Sequence, residues 1–201
     1  MKTFLVIIVV SLMAGVFRAP AFLVCERPLK KADCVIAMLG GDFAARKREA
    51  VSLIEKGVAD TLLIPAWRQV IRYKGEGGSR KPTGKKTVMV AGRPQVSVRI
   101  FGRRWDLYEN THLELLQARA MMEKLGLKSA VVVSSPYHLR RLQLIAGQVF
   151  SDEDGYKIGL KSTSLESYNF LACLQSECCR KYVASEYLKI AWFLVYGWFV
   201  K

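Results

Sequence analysis

The sequence predicts an α/β fold, a mostly parallel, doubly wound sheet with helices on both faces, preceded by an N-terminal hydrophobic helix. Three observations predict it. Short apolar runs that stop at Gly or Pro alternate with amphipathic segments that stop at Gly, the order that yields strands and the helices covering them. The chain has 201 residues at 51% hydrophobic and 24% charged, which suits one compact domain plus an appendage. That composition excludes wholesale disorder, collagen-like repeats and a polytopic membrane protein. The appendage stands at the start, where a nearly continuous apolar run from Phe4 to Phe17 (FLVIIVVSLMAGVF) follows Lys2.

Residues 1–24 form a membrane anchor or signal segment, and 25–201 the domain. Counted through Ala21 to Val24, the apolar stretch reaches the ~20 residues that span hydrocarbon, with Arg18 snorkelling. The competing reading is a signal peptide cleaved after Ala21, with Ala19 and Ala21 as its small residues. Arg18, Arg27, Lys30 and Lys31 after the segment outnumber Lys2 and the amino terminus before it, which points the domain to the cytoplasm.

Residues 33–39 (DCVIAML) read as a buried strand entering Gly40 and Gly41. Ala45 to Lys56 follows as a helix with Ala50, Leu53 and Ile54 on one face and Gly57 as its stop. Thr61 to Ile64 (TLLI) completes a strand, helix, strand unit that ends at Pro65. Residues 68–104 then carry eleven Lys or Arg against one acid, Glu76, and hold most of the net charge of +14. Here Gly75 to Gly84 reads as a flexible loop, and Thr87 to Ala91 and Val96 to Phe101 as short strands of a basic hairpin.

Alternation resumes with a helix over Asn110 to Lys124, stopped by Gly126, and a β-branched strand over Ser129 to Ser134 (SAVVVS). Ser135 and Pro136 suit the cap and first position of a helix over Tyr137 to Phe150. Tyr156 to Lys161 reads as one more strand and Val183 to Val200 as an aromatic-rich final helix. Five cysteines include the cluster Cys173, Cys178 and Cys179, which lacks a CxxC spacing; a helix carrying thiols and a single disulfide are the two readings, with no metal site.

In such sheets ligands bind beyond the carboxyl ends of the strands, where this chain places its unusual polar residues. Gly40 and Gly41 let main-chain amides approach an anion, unless they form only a tight turn. Arg46 in the first turn of a helix opposes the macrodipole and lies beside the buried face; it has an anionic partner or is a solvated member of the Arg46, Lys47, Arg48, Glu49 cluster. Glu109 and Asn110 open their helix as capping residues or as ligand contacts. The densest constellation is Ser134, Ser135, Pro136, Tyr137, His138, Leu139, Arg140 and Arg141. Within it His138 and Arg141 share a helix face, one able to move a proton near neutral pH and the other to clamp an oxyanion. No Gly-x-Ser-x-Gly elbow and no Walker loop is present, which removes serine hydrolases and P-loop enzymes as local motif readings.

The order and spacing of DCVIAMLGG, Arg46 with Ala50 and Leu53, YEN at Tyr108 to Asn110, and VVVSSPYHLRR at 131–141 resemble the YdcF, SanA and ElyC family of bacterial proteins. SEYLK at 185–189 is a weaker echo. The resemblance covers 33–65 and 106–147; the chain departs from it at Leu107, where the family has Ser or Thr, and in the basic segment 68–104. It implies a Rossmann-like domain tethered to the bacterial inner membrane, on the periplasmic side, with Gly40, Gly41, Arg46, Glu109, Asn110, Ser135, His138 and Arg141 in one pocket. It also implies a role in envelope biogenesis, peptidoglycan or lipid-carrier metabolism, or binding of S-adenosylmethionine.

The expectation is a membrane-anchored envelope factor whose pocket takes an anionic, phosphorylated or lipid-linked ligand. Arg46 and Arg141 hold the anion, Gly40, Gly41, Asn110 and Ser135 complete the binding site, and Glu109 and His138 do any proton transfer. If catalytic, it is a hydrolase or transferase acting at phosphate. The alternative is a non-catalytic module for S-adenosylmethionine or another nucleotide-like ligand with a lipid-contacting basic hairpin. Nucleic acid is the weakest partner, since no reader motif appears.

Overall fold

The computed structural model describes residues 18–75, 80–90, 97–100, 103–106, 109–164, 173 and 175–197, with 97–100 and 103–106 described by their backbone. In chain order the elements are β1 (Cys34–Ala37), α1 (Phe43–Glu55), β2 (Thr61–Ile64), β3 (Gln69–Lys74), β4 (Lys81–Thr87), β5 (Ser97–Ile100), β6 (Arg103–Asp106), α2 (Asn110–Leu125), β7 (Ser129–Ser134), α3 (Leu139–Val149), β8 (Lys157–Ser162) and α4 (Glu177–Tyr196).

Six strands form one sheet in the order β4-β3-β2-β1-β7-β8. The four central and right-hand strands run parallel, with Val35 opposite Leu62 on one side and Val131 on the other, and Val131 opposite Gly159. β3 and β4 add to the β2 edge antiparallel. Mixed α/β architecture with a mostly parallel sheet is therefore what the alternating sequence yields.

Side-chain alternation divides the core. Val35, Ala37, Leu62, Ile64 and Val133 pack under Ala50 and Ile54 of α1 on one face. Ile36, Leu63 and Val132 meet Leu115 and Met122 of α2, Leu142 and Ile145 of α3 and Phe193 of α4 on the other. β1 is wholly buried, so its continuous apolar run is what a central parallel strand requires. The chain leaves β1 for β2 on one side and returns to β7 on the other. The crevice between the carboxyl ends of β1 and β7 is thus the point where the winding direction reverses.

Several expected boundaries move. The loop expected over Gly75 to Gly84 shortens, because β4 begins at Lys81 and pairs along β3. All seven of its residues are exposed, so main-chain hydrogen bonding to β3 forms the strand with no apolar alternation to reveal it. Residues 88–90 are irregular where Thr87 to Ala91 reads as a strand, and Ala91 lies outside the described residues. Of Val96 to Phe101 the strand covers Ser97–Ile100, paired with β6 in a separate two-stranded sheet, while 96 and 101 are outside the description. Pro136–His138 is a 3-10 turn, and α3 starts after it. α4 starts earlier than Val183, where the Ser176 hydroxyl accepts from the Cys179 amide at 3.3 Å; its expected end at 198–200 is outside the description.

The apolar run over 4–17 also lies outside the described residues. Residues 18–23 are helical with Leu23 buried, and no helix among the described residues is long and apolar enough to cross a membrane. After it Arg27 bridges Leu160 of β8 through main-chain bonds of 3.0 and 2.9 Å. Of the two cysteine readings the disulfide is the one present, between Cys173 and Cys179, with Cys25, Cys34 and Cys178 as free thiols.

Candidate functional site

At the carboxyl end of β1 the chain passes through Met38, Leu39, Gly40 and Gly41 to Asp42, whose side chain caps α1 by accepting from the Ala45 amide at 3.1 Å. This capped turn sets Arg46 inward. It is 4% exposed, which excludes the solvated reading, and the rest of its charge cluster goes elsewhere: Lys47 and Arg48 face solvent, and Glu49 accepts from the Ser164 hydroxyl at 2.6 Å. The Arg46 guanidinium donates to Ser135 Oγ at 2.8 and 3.3 Å and to the carbonyls of Met38, at 3.2 Å, and Leu39. None of these partners carries charge, and no described carboxylate pairs with Arg46. A buried cation held only by dipoles keeps its full unit of charge for whatever enters beside it. Gly40 belongs here for steric reasons, since a Cβ would lie 2.4 Å from Arg46 NH1.

Glu109 occupies the cap position of α2, but its side chain does not cap. It pairs instead with Arg141 NH1, while its other oxygen, Oε1, is buried without a hydrogen bond. Thr111, the second residue of α2, accepts from Arg141 NH1 at 3.0 Å and lies 3.3 Å from His138 Nε2. Asn110 is exposed at the mouth.

Beyond β7, Ser134 and Ser135 are fully buried and Pro136 opens the 3-10 turn that carries His138. Ser135 stands behind Arg46 as its hydroxyl acceptor and does not line the cleft. His138 Nδ1 lies 3.1 Å from Glu186 Oε2 and 2.9 Å from Arg141 NH2, contacts that ask for opposite tautomers. With the proton on Nδ1, Glu186 receives a charge-assisted bond and Nε2 turns its lone pair to Thr111 and the cleft.

Arg141 is the hub. Its Nε and NH2 donate to the two oxygens of Glu186 at 2.7 and 3.0 Å, and NH1 serves Glu109 and Thr111. Four of its five N–H groups therefore end on protein oxygen, and the fifth faces His138. The guanidinium expected to clamp a ligand oxyanion is occupied by the protein's own carboxylates. It positions two acids and an imidazole.

These groups line a cleft of about 600 Å³ with Leu39, Gly40 and Gly41 on one wall and Tyr182, Leu188, Lys189 and Trp192 of α4 on the other. With both acids ionised the lining charges are Arg46, Arg141 and Lys189 against Glu109 and Glu186, so one positive charge is left over, or two when Glu109 carries a proton, and Arg46 is the cation without an acid. Burial pushes the Glu109 carboxyl above its ordinary range despite Arg141 beside it, with the Glu186 charge acting in the same sense. Burial also pushes His138 down to about 4, against the Glu186 hydrogen bond, so the imidazole is neutral at neutral pH. Burial would raise Glu186 too, yet hydrogen bonds from His138 and Arg141 hold it well below the usual carboxylate range.

Of the eight residues expected in one pocket, seven line this cleft and Ser135 supports it from behind. Glu186, Thr111, Tyr182, Lys189 and Trp192 join them without having been singled out as site residues. SEYLK was the sole pointer to Glu186, and Thr111 looked like an ordinary first-turn residue. No group of His, Cys, Asp and Glu suited to a metal ion occurs among the described residues. No protein-family model, no curated protein and no solved structure matches the chain.

Proposed function

We propose that this chain is a membrane-anchored envelope factor of the YdcF, SanA and ElyC type, whose Rossmann-like domain binds a phosphorylated ligand in the cleft and hydrolyses or transfers its phosphoryl group. The observation that carries the reading is Arg46, a buried guanidinium at the carboxyl end of β1 with no described carboxylate to neutralise it. Phosphate supplies the missing charge. The position at the reversal of the sheet winding supports a ligand site on independent topological grounds.

In this reading the phosphoryl oxygens lie against the charge and the one remaining N–H of Arg46, whose other four end on neutral protein oxygens, and against the main chain at Gly40 and Gly41, where the absent side chains permit close approach. His138 Nε2 takes a proton from the attacking water or acceptor hydroxyl as its oxygen bonds to phosphorus. The bond from phosphorus to the leaving oxygen breaks, and that oxygen takes a proton from Glu109, whose raised carboxyl value keeps it protonated more readily than an ordinary acid. Glu186 steadies the imidazole at Nδ1, and Arg141 holds both acids apart in fixed positions. The apolar run at 4–17 supports attachment to the inner membrane.

Titration of the full-length protein in detergent with inorganic phosphate tests the reading. Arg46→Gln, verified as folded by circular dichroism, is expected to weaken phosphate binding at least about tenfold. His138→Ala is expected to cut turnover of p-nitrophenyl phosphate by about 100-fold while leaving phosphate affinity within a few-fold. Unchanged phosphate affinity in the Arg46 variant would overturn the assignment.

A further inference from the structure

A second hollow, of about 720 Å³, lies between the β3–β4 hairpin and the last turn of α2. Arg72, Lys74, Lys85, Lys86 and Lys124 line it, and among the described residues no acidic one does. No described carboxylate pairs with Arg72, Lys74, Lys85 or Lys86, and Lys124 Nζ donates only to the Met89 carbonyl, at 2.6 Å.

The strand register concentrates part of this charge, while Lys85, opposite Ile71, points its side chain to the other face of the sheet. Arg72 stands opposite Gly84, and Lys86 stands opposite Val70, one diagonal step from Arg72 on the same face. Like charges at that spacing repel each other, and a bound anion relieves the repulsion. Gly84 matters because a Cβ there would meet nothing within 4 Å; the space a side chain would fill is left open in front of Arg72. The whole of β4 is exposed along the sheet edge.

The lining selects the kind of anion. Among the described residues it contains no aromatic ring on which a base could stack, and four of its five cations are lysines, point charges without the fork that reads base edges. At the rim Met89 is 68% exposed, an apolar tip beside the cations. A basic groove edged by an exposed apolar side chain matches the headgroup layer of an anionic bilayer, where the cations meet phosphate and the thioether reaches the acyl boundary. Arg27, just past the helical residues 18–23, pairs with β8 at the opposite edge of the sheet, roughly 24 Å away across five strand spacings. An attachment through the chain before residue 18, continuous with the helical residues whose Phe22 and Ala19 carbonyls accept from Arg140 of α3 and Tyr187 of α4, and a second one at this hairpin would together fix the orientation of the domain.

We infer that the hollow between the β3–β4 hairpin and α2 is a second anion site, which docks the domain onto the phosphate headgroups of an anionic membrane. This rests on the membrane attachment proposed above and not on the chemistry of the cleft.

The test reconstitutes the full-length protein into vesicles of phosphatidylcholine alone or with phosphatidylglycerol and measures acetylation rates of individual lysines by mass spectrometry. Lys74, Lys86 and Lys124 are expected to react about fivefold more slowly in the anionic vesicles, with the protection lost at high salt. Lys47, exposed on the α1 side of the sheet, is expected to react equally in both and serves as the internal reference. The double variant Arg72→Glu, Lys86→Glu is expected to remove protection from Lys74 and Lys124 while leaving phosphate titration of the cleft unchanged. Equal labelling in both vesicles overturns the inference even if the cleft binds phosphate. So does protection by soluble glycerol phosphate or by a DNA duplex in phosphatidylcholine vesicles without any protection by phosphatidylglycerol.

Discussion

Glu186 grips Arg141 through both carboxylate oxygens, at 2.7 and 3.0 Å, across 45 residues of chain. Both side chains are about 95% buried, so the pair is well shielded from water. Such a pair adds little over an apolar contact of the same shape, but removing one partner strands the other charge. Glu186→Ala leaves Arg141 with Glu109 as its acid, so the expected cost is about 3 kcal/mol, the lower end for breaking a buried pair. Urea unfolding measures it. A loss below about 1 kcal/mol would mean that Glu109 alone satisfies the guanidinium.

The two histidines make stability fall in mild acid. Burial holds both His138 and His112 down to about 4 from an ordinary value of 6.5. Between those values the unfolded chain takes up protons that the native protein refuses, so their contribution is fully present above pH 6.5 and is lost as pH falls toward 4. Glu186, depressed below its ordinary value, adds a loss of the same sign at lower pH. Glu109 is raised and runs the other way, its contribution fading as pH rises above the ordinary carboxylate value. His112 sits apart from the cleft machinery, with Nδ1 3.2 Å from the Tyr196 hydroxyl, and isolates the effect. His112→Phe is expected to shrink the stability difference between pH 7 and pH 5 by about 2 kcal/mol, read from urea midpoints at the two pH values. An unchanged difference would show that His112 does not carry it.

The fold's parallel half was legible because its strands announce themselves. Thr61–Ile64 and Ser129–Ser134 are apolar or β-branched runs with clear stops, and they fall where the sequence places them. β4 was illegible since Lys81–Thr87 carries no apolar face and is a strand only by virtue of the β3 backbone beside it. The same contrast divides the cleft. Arg46, Glu109, His138 and Arg141 stand at strand ends and helix starts, where polar residues after apolar runs draw notice. Glu186 sits mid-helix between Ser185 and Tyr187, like any solvated helical acid. Its burial and its role arise from α4 packing beside α3, a tertiary relationship that no local pattern encodes.

α4 bears one wall of the cleft, and the Cys173–Cys179 bridge ties its first turn to the preceding chain. A cross-link closing so short a loop is expected to contribute about 2 kcal/mol, chiefly by restricting the unfolded chain. Dithiothreitol, or the double replacement of both cysteines by Ser, should lower the urea midpoint, and with it the unfolding free energy by that amount. The slope of the transition should stay nearly constant. Identical midpoints with and without reductant would show that α4 is held by its packing alone.

Gly40 and Gly41 are neighbours with opposite tolerance for a side chain. A Cβ on Gly40 would meet Arg46 NH1 at 2.4 Å, NH2 at 2.6 Å and Cζ at 2.7 Å, whereas one on Gly41 would meet nothing within 4 Å. Arginine ends are usually easy to displace, but this one is 4% exposed and fixed by bonds to Ser135, Met38 and Leu39, so displacing it breaks several of them at once. Gly40→Ala is expected to cost about 1–3 kcal/mol, the range for overpacking a tight interior, and to weaken phosphate binding together with stability. Gly41→Ala is expected to stay within about 0.5 kcal/mol of the parent, as at an open surface position. Paired urea unfolding and phosphate titration of the two variants separate the effects. If Gly40→Ala binds phosphate as the parent does, the guanidinium has another place to go, and the rigidity assigned to Arg46 is wrong.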